Sequence, residues 1–581
     1  MMTLLFNIFK KLWLVGALCD VVLVADGVKF KAHKIILRAC SPYFRALFAS
    51  RRNIKRKDEY MIPDVSPEAM RLVIEYAYTH YVLVTVDNVE SLLAAADQLN
   101  IPGVVQCCSD FLMDQLCLEN CVGIYSIAYI YFCPELRQAA FIFIMQNFKE
   151  VASTSEEFLE LTLHQLSDII EKDELNVRDE DVVFEAILRW IMHEPATRKA
   201  HISVLLPKVR LARMKADYLM KTVKNNGLVK ASAECRLIIS EALKAMCDGP
   251  PNSDFQSPLL RPRLPYEILL AIGGWTDHQS NKIEAYDTRA DRWVDVTQPS
   301  EIPWAYHGAV YLKGFVYCIG GSEPILSSSR MQKFDLIART WHQVAPMHSC
   351  RSSVSVIVLS DFIYAMGGCD GPTDLSTAER YNPETNTWSF IQPMNQPRMA
   401  ASATTLNGKI YICGGCNRTG SLSSAECYDP VTDGWTMICP MTSPRCGVGV
   451  AAYKGKIYAV GGLNKSVCLQ TVEAYDPVTN QWHAVALLSA PCAYFGIEVV
   501  DDLLVVVGGG YSSGNTTRVE CFDAETGSWY HAQDMGTSRR GLSCVVVPAL
   551  PSIRQYAAPG ERLMATPEAL HPLASSTMPS G

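Results

Sequence analysis

Four groups of residues have the types and spacings that chemistry needs. Cys413-Gly414-Gly415-Cys416 has the C-x-x-C spacing of a zinc or dithiol site. Gly508-Gly509-Gly510-Tyr511-Ser512-Ser513-Gly514 has the glycine content of a phosphate loop. Asp20 and His33 are the types of an acid–base pair. Asn417-Arg418-Thr419, Asn464-Lys465-Ser466 and Asn515-Thr516-Thr517 match the glycosylation sequon. Their surroundings argue against each. No second cysteine pair stands at zinc-ligand spacing from Cys413 and Cys416, and the glycines between them belong to a repeat. No helix follows the Gly508 loop. Asp20 and His33 are expected to orient each other within the fold, and a cytosolic chain leaves its sequons unmodified. No catalytic residue, metal or cofactor is predicted.

What remains is a repeated surface. Adjacent glycines recur at Gly273-Gly274, Gly320-Gly321, Gly367-Gly368, Gly414-Gly415, Gly461-Gly462 and Gly508-Gly509, always 47 residues apart. Trp293, Trp341, Trp388, Trp435, Trp482 and Trp529 follow them, each seven residues after an aromatic: Tyr286, Phe334, Tyr381, Tyr428, Tyr475 or Phe522. Between the repeats stand Trp304, Arg351, Arg398, Arg445, Cys492 and Arg539, each followed by a variable pair such as Ala305-Tyr306, Ala493-Tyr494 or Arg540-Gly541. Directly after the glycine pairs come Trp275, Ser322, Cys369, Cys416, Leu463 and Gly510. Arginines around a concave mouth favour an acidic or phosphorylated protein segment. They could equally cap loops by bonding carbonyls. Trp275, Tyr306 and Tyr494 break the column pattern and are the better anchors. The predicted substrate-binding set is Trp275, Tyr306, Arg351, Arg398, Arg445, Tyr494 and Arg540.

The elements that position these columns follow from one repeat. Ala401–Leu406 is rich in small and β-branched residues, Asn407-Gly408 is a two-residue turn, and Lys409–Cys413 alternates beyond it. Equivalent turns are Lys313-Gly314, Ser360-Asp361, Lys454-Gly455 and Asp501-Asp502. Two further strands end at Tyr428 and Trp435. Four short antiparallel strands per period describe a blade of a kelch-type propeller. The glycine pair is expected where strands crowd near the axis, and the aromatics between blades. The first pair lacks a hairpin strand ahead of it, while Gly541–Val547 is a strand with no glycine pair after it. That C-terminal strand should complete the first blade.

The N-terminal half is different. The chain has 581 residues, 49% apolar and 19% charged, with net charge −8. This is an ordinary soluble composition, and nothing in it suggests nucleic-acid binding. Residues 1–15 carry Lys10-Lys11 and no small-residue cleavage site, and Phe6, Phe9, Leu12 and Trp13 share one face. An amphipathic helix is expected there, with no membrane span in the chain. The 21 scattered cysteines fit reduced thiols in a cytoplasmic protein. Val21–Val24, Asp26-Gly27 and Val28–Phe30 form a hairpin signal. Ser66 caps a helix with Pro67 in its first turn, and Asp87 with Glu90 suggests a capping box. Residues 248–265 are rich in Pro and Ser, and 549–581 in Pro, Ala and Ser, so a linker and a disordered tail are expected.

Leu18-Cys19-Asp20-Val21, Phe30, Ala32-His33-Lys34, Leu37, Ser41, Tyr43-Phe44 and Phe48 resemble a BTB domain. Phe158-Leu159, Leu175-Asn176-Val177, Trp190 and Val209-Arg210-Leu211 resemble a BACK domain. With the repeats, the chain is identified as similar to the kelch-like (BTB–BACK–kelch) family over about residues 18–548. The fold expected is multidomain: an α/β BTB domain with its N-terminal helix (1–117), an all-α BACK domain (118–247), a linker (248–265), an all-β six-bladed kelch propeller closed by a C-terminal strand (266–548) and a tail (549–581). The resemblance implies a non-catalytic adaptor of a ubiquitin ligase. Its BTB domain would form a homodimer and bind cullin-3, its BACK domain would extend that surface, and its propeller would capture a protein substrate. Segments 158–177, 201–212 and 495–504 are most similar to a male germ-cell member, implying a role in spermatogenesis. One departure stands out. Cullin-binding members usually carry an apolar residue, any residue, then glutamate in the loop after the helix ending near Phe48; here Arg52, Asn53 and Ile54 hold those positions. A cullin-independent cytoskeletal or scaffolding protein is the main alternative. A copper oxidase lacks its Tyr/His set here, and a BTB transcription regulator lacks its zinc-finger pairs.

Overall fold

The computed structural model describes residues 2–49, 59–247, 259, 261–298, 301–323, 326–511, 514–524, 526–548 and 556–557. Two compact units emerge, dividing near residue 251. Arg52 and Ile54, the predicted cullin-binding loop, lie outside the described residues, as does most of the 248–265 segment.

In the first unit, β1 (Val21–Ala25) and β2 (Val28–Ala32) form the expected hairpin, with Asp26 and Gly27 both at positive φ in its turn. β3 (Glu59–Ile62) adds parallel to β1. Helix α1 (Met2–Leu14) lays Phe9 and Trp13 on this domain's core, and Trp13 stacks on Tyr78 with ring centroids 4.8 Å apart. Asp20 and His33 do not meet as expected. Asp20 accepts the Lys34 backbone N–H at 2.7 Å, while His33 bonds the Tyr78 hydroxyl at 2.6 Å and the Ala17 carbonyl at 3.1 Å. Ser66 caps its helix as predicted, accepting from the Ala69 N–H. The next cap falls one residue later than expected: Asn88, not Asp87, stands at the N-cap, and its carboxamide oxygen accepts from Thr85 N–H. The regular elements between residues 121 and 247 are all helices, around a core holding Phe148, Phe158, Leu175, Val183, Ile187 and Trp190. Among the described residues no helix is long and apolar enough to cross a membrane.

The second unit contains six four-stranded antiparallel sheets among its described residues. Sheet four is representative: Ser402–Leu406, Lys409–Cys413, Ala425–Asp429 and Gly434–Ile438 pair in that order. Sheet one takes its first strand from the far end of the chain, Ser543–Pro548 pairing with Glu267–Ile272. Each innermost strand packs on the next, in a circuit running from Gly308–Leu312 through sheets three to six to Ser543–Pro548 and back. The hairpin turns all adopt positive φ at both central positions, including Ser360-Asp361 and Asp501-Asp502, which suits the twist of the flanking strands.

The aromatic columns sit at the seams between sheets. Tyr428 and Trp435 face each other across paired strands, and the Trp435 indole N–H donates to Gln392 O of the preceding sheet at 2.8 Å. Trp388, Trp482 and Trp529 do the same with Ala345, Cys439 and Ala486. The glycine pairs are wedged between the segments that lead into two successive sheets. A Cβ on Gly414 would lie 2.5 Å from Arg445 O, and one on Gly415 2.7 Å from Met399 O. Both glycines also hold positive φ, so no other residue fits. Among the described tail residues Tyr556 is buried, and its hydroxyl donates to Leu336 O at 2.9 Å. Its ring lies in the apolar seam with Leu270 and Phe334, where burial of the aromatic holds it against the disorder expected there.

Candidate functional site

Six residues, one from the segment leading into each sheet, form a continuous hydrogen-bonded ring. Ser353 N–H donates to Tyr306 O, Ala400 to Ser353, Gly447 to Ala400, Tyr494 to Gly447, Gly541 to Tyr494 and Tyr306 to Gly541, at 2.7–3.0 Å. All six have φ between 50° and 61°. Glycine takes this conformation freely; tyrosine, serine and alanine take it at about 1–2 kcal/mol each. Strain held this way gathers where a binding surface is built. The ring is the mouth of a central channel of about 360 Å³, lined by the six innermost strands.

Most ring side chains are small, so the mouth's character rests on Tyr306 and Tyr494. They flank Gly541 in the ring, and their rings meet edge to face at 6.0 Å. Tyr494 lies over Gly447, where a Cβ would come 3.0 Å from its ring, and Tyr306 lies over Gly541. Trp275 and Arg540 join the same rim by exchanging two backbone hydrogen bonds, at 2.6 and 3.1 Å. Trp275 is half-buried and Arg540 exposed. The structure therefore brings together four of the seven predicted binding residues.

The other three are placed elsewhere. Arg351, Arg398 and Arg445 are completely buried. Arg398 directs Nε and Nη2 to Glu426, Nη1 to the Gly414 and Ser424 carbonyls, and Nη2 also to the Ser424 hydroxyl. Arg351 repeats this with Glu379, Gly367 and Thr377, and Arg445 with Glu473, Gly461 and Thr471. Every guanidinium donor is used, so none is left to meet a ligand. They lock each lead-in segment to its own sheet, and the mouth is not a cationic ring. Where Trp304 or Cys492 replaces the arginine, an arginine appears instead in the Thr377/Ser424/Thr471 column. Arg518 Nε lies 3.0 Å from Glu520, and the Arg330 guanidinium stacks 3.8 Å above Trp304.

The channel wall holds groups that the sequence reading missed. Glu498 is its one carboxylate, and burial pushes that carboxyl up to about 8 against the opposing Val499 backbone hydrogen bond. His307 is buried at the wall; burial first, then Arg330 and Arg539, lowers it to about 3, so it is neutral. Glu498 lines the channel from the strand Gly496–Val500, a placement readable only once that strand is known to be innermost. Among the described residues no cluster of His, Cys, Asp or Glu could hold a metal.

The first unit offers a separate surface. A groove of about 400 Å³ runs between helices 89–98 and 102–114 and the 131–136 turn, lined by Ile101, Val105, Tyr131 and Phe132 among others. Phe132 is 88% exposed, and Tyr129 and Ile130 beside it are also exposed.

Comparison with known proteins finds three kinds of domain along the chain. Family models match a BTB/POZ domain over residues 9–116 and the BTB And C-terminal Kelch (BACK) domain over 121–224. The KLHDC2/KLHL20/DRC7 kelch-repeats domain matches 266–444, and the kelch motif matches 444–486 and 491–536. Kelch-like protein 3 from Pongo abelii, Bos taurus and Homo sapiens is in each case 36% identical over 321 residues, covering 54% of this chain and 54% of the relative. The chain thus spans about half the length of the curated relatives it matches.

Proposed function

The chain belongs to the BTB–BACK–kelch family, and from that premise we propose that it is a substrate-recognition adaptor of a cullin-3 RING ubiquitin ligase. Proteins of this family typically serve as cullin-3 substrate adaptors. The six sheets act as the blades of a closed propeller, and its mouth captures the substrate. The observation that carries this reading is the strained ring that presents Tyr306 and Tyr494 side by side over glycines, with Trp275 and Arg540 on the rim. Paired aromatics on a rigid frame are binding anchors. Their chemistry favours a peptide segment with an apolar or aromatic anchor, and one acidic contact to Arg540, over the strongly acidic motif that an arginine ring would select.

Cullin-3 docks on the first unit. The apolar groove with Phe132 at its edge supports this, and the BTB domain supplies the homodimer. Two propellers then raise the effective concentration for a substrate with two weak motifs. No reaction occurs on the chain; proximity of a substrate lysine to the charged conjugating enzyme is its contribution. The setting is cytoplasmic. The resemblance of segments 158–177, 201–212 and 495–504 to kelch-like protein 10 points to male germ cells and spermatogenesis.

Co-purification with cullin-3 tests the reading. The wild-type chain is expected to retain cullin-3, and Arg52→Met with Ile54→Glu to retain more. If neither retains it when concentrated, the cullin-independent scaffold replaces the adaptor.

A further inference from the structure

The channel mouth carries a chemical grouping that substrate capture does not use. The Sγ atoms of Cys416 and Cys446 lie 2.7 Å apart. Cys416 follows the glycine pair of sheet four, and Cys446 follows Arg445 in the segment leading into sheet five. Neither sits on a loose loop. Cys416 exchanges two backbone hydrogen bonds with Met399, both 2.9 Å, and Cys446 exchanges two with Leu463, at 2.8 and 2.7 Å. Gly415 N–H to Arg445 O, at 2.8 Å, joins the two strips directly. The equivalent pairs at the other seams are Trp275/Ala305, Ser322/Ser352, Cys369/Met399, Leu463/Ala493 and Gly510/Arg540. Only this seam places two thiols together.

The surroundings favour reaction. The hydrogen bond between the two thiols is the largest influence on Cys446 and lowers its pKa; burial opposes this, and the Tyr494 hydroxyl, 3.5 Å away, adds to the lowering. The same bond, with burial, raises Cys416, so Cys446 is the more readily ionised of the two. Burial pushes Cys413 and Cys492 the other way, up to about 12. The thiolate is the nucleophile in thiol oxidation.

We propose that Cys416 and Cys446 are a peroxide-responsive thiol pair, forming a reversible disulfide that resets the mouth at Tyr494. The Cys446 thiolate attacks one oxygen of a hydroperoxide. The O–O bond breaks, the departing oxygen takes a proton and leaves as water or alcohol, and Cys446 becomes a sulfenic acid. The Cys416 sulfur then attacks Cys446 Sγ and gives up its proton, and the hydroxyl leaves as water. Two thiols lose two electrons and two protons in all, and hydrogen peroxide is reduced to two waters. A thiol reductant reverses the bond by exchange. The bond draws Cys446 Sγ toward Cys416 and replaces the thiol that the Tyr494 hydroxyl contacts with a disulfide sulfur, a poorer hydrogen-bond partner.

Peptide mapping of the full chain decides the matter, and it needs neither cullin nor substrate. Reduced protein is treated with near-stoichiometric hydrogen peroxide, alkylated and analysed by mass. A 416–446 cross-link that disappears with dithiothreitol is expected. In Cys416→Ser, Cys446 is expected to stop at a sulfenic acid that dimedone traps. The proposal is overturned if both thiols of the wild-type chain are still alkylated at a peroxide level that oxidises the exposed Cys350, or if Cys446 pairs with a different cysteine.

Discussion

Arg398 and Glu426 form an ion pair, Nη2 to Oε1 2.9 Å, in which neither side chain keeps any solvent exposure. The same pair recurs as Arg351–Glu379, Arg445–Glu473 and Arg539–Glu284. Each ties the segment carrying one ring residue to the third strand of its sheet. The arginines therefore set the position of the mouth without touching what enters it.

Removing one arginine leaves its glutamate buried and unpaired. Arg398→Ala should destabilise the propeller unit by about 3–5 kcal/mol, the usual cost of breaking a buried pair. Arg398→Lys should not restore it, because one ammonium cannot replace five planar donors. Chemical denaturation of the isolated variants reads this. Arg398→Ala that unfolds like wild type and only loses substrate would return the arginines to the ligand-binding set.

The seams give a second, smaller prediction. Trp435→Phe keeps the ring against Tyr428 but removes the indole N–H that reaches Gln392 O. The expected loss is about 0.5–1.5 kcal/mol, the net worth of one such bond. The same change at Trp482, whose indole reaches Cys439 O, should cost a similar amount. Differential scanning calorimetry of both variants checks the pair, and unequal losses would show that seam packing outweighs the bond.

Much of this architecture was legible from the residue columns. The 47-residue spacing located the hairpin turns, the seam aromatics and the glycines, because each responds to local backbone or to one fixed neighbour. The arginine column misled for a physical reason. A residue that recurs in four of the six sheets meets the same buried glutamate in each, so its repetition marked a lock. The exchange between Arg351/Thr377 and Cys492/Arg518 was also present in the sequence. It becomes meaningful only when the lead-in segment and the third strand are known to touch. Tyr306 and Tyr494 stood out because they depart from their column, but the ring that strains them is made by backbone, on which side-chain identity is silent. The Cys416–Cys446 contact crosses a seam and was hidden behind the more obvious C-x-x-C spacing of Cys413 and Cys416.

Tyr494 allows a separation of binding from folding. Its backbone holds φ 57°, and the neighbouring ring positions Gly447 and Gly541 show that glycine fits the same place. Tyr494→Gly relieves about 1–2 kcal/mol of backbone strain and gives up ring contacts of similar worth. Thermal stability should stay near wild type while substrate capture falls at least about tenfold, as for loss of an anchor worth about 1.4 kcal/mol or more. Pull-down by the folded variant measures it. Undiminished capture would move recognition off the mouth.

Glu498 makes the channel itself sensitive to pH. Its carboxyl titrates at about 8 in the folded chain because burial disfavours the charged form, against about 4.3 when unfolded. Between those values the folded state holds a proton that the unfolded state has lost. Stability from this residue is therefore complete below the unfolded value and declines as pH rises through the folded one. Glu498→Gln cannot ionise and escapes the decline. The melting temperature of Glu498→Gln should match wild type near pH 4, exceed it progressively up to pH 8, and hold a constant lead above pH 9. The half-buried position of Glu498 on the channel wall lets solvent soften the slope without changing its sign. A difference between the two proteins that is the same at pH 4 and pH 9 would mean that Glu498 titrates alike in the folded and unfolded chain, and that burial does not raise it.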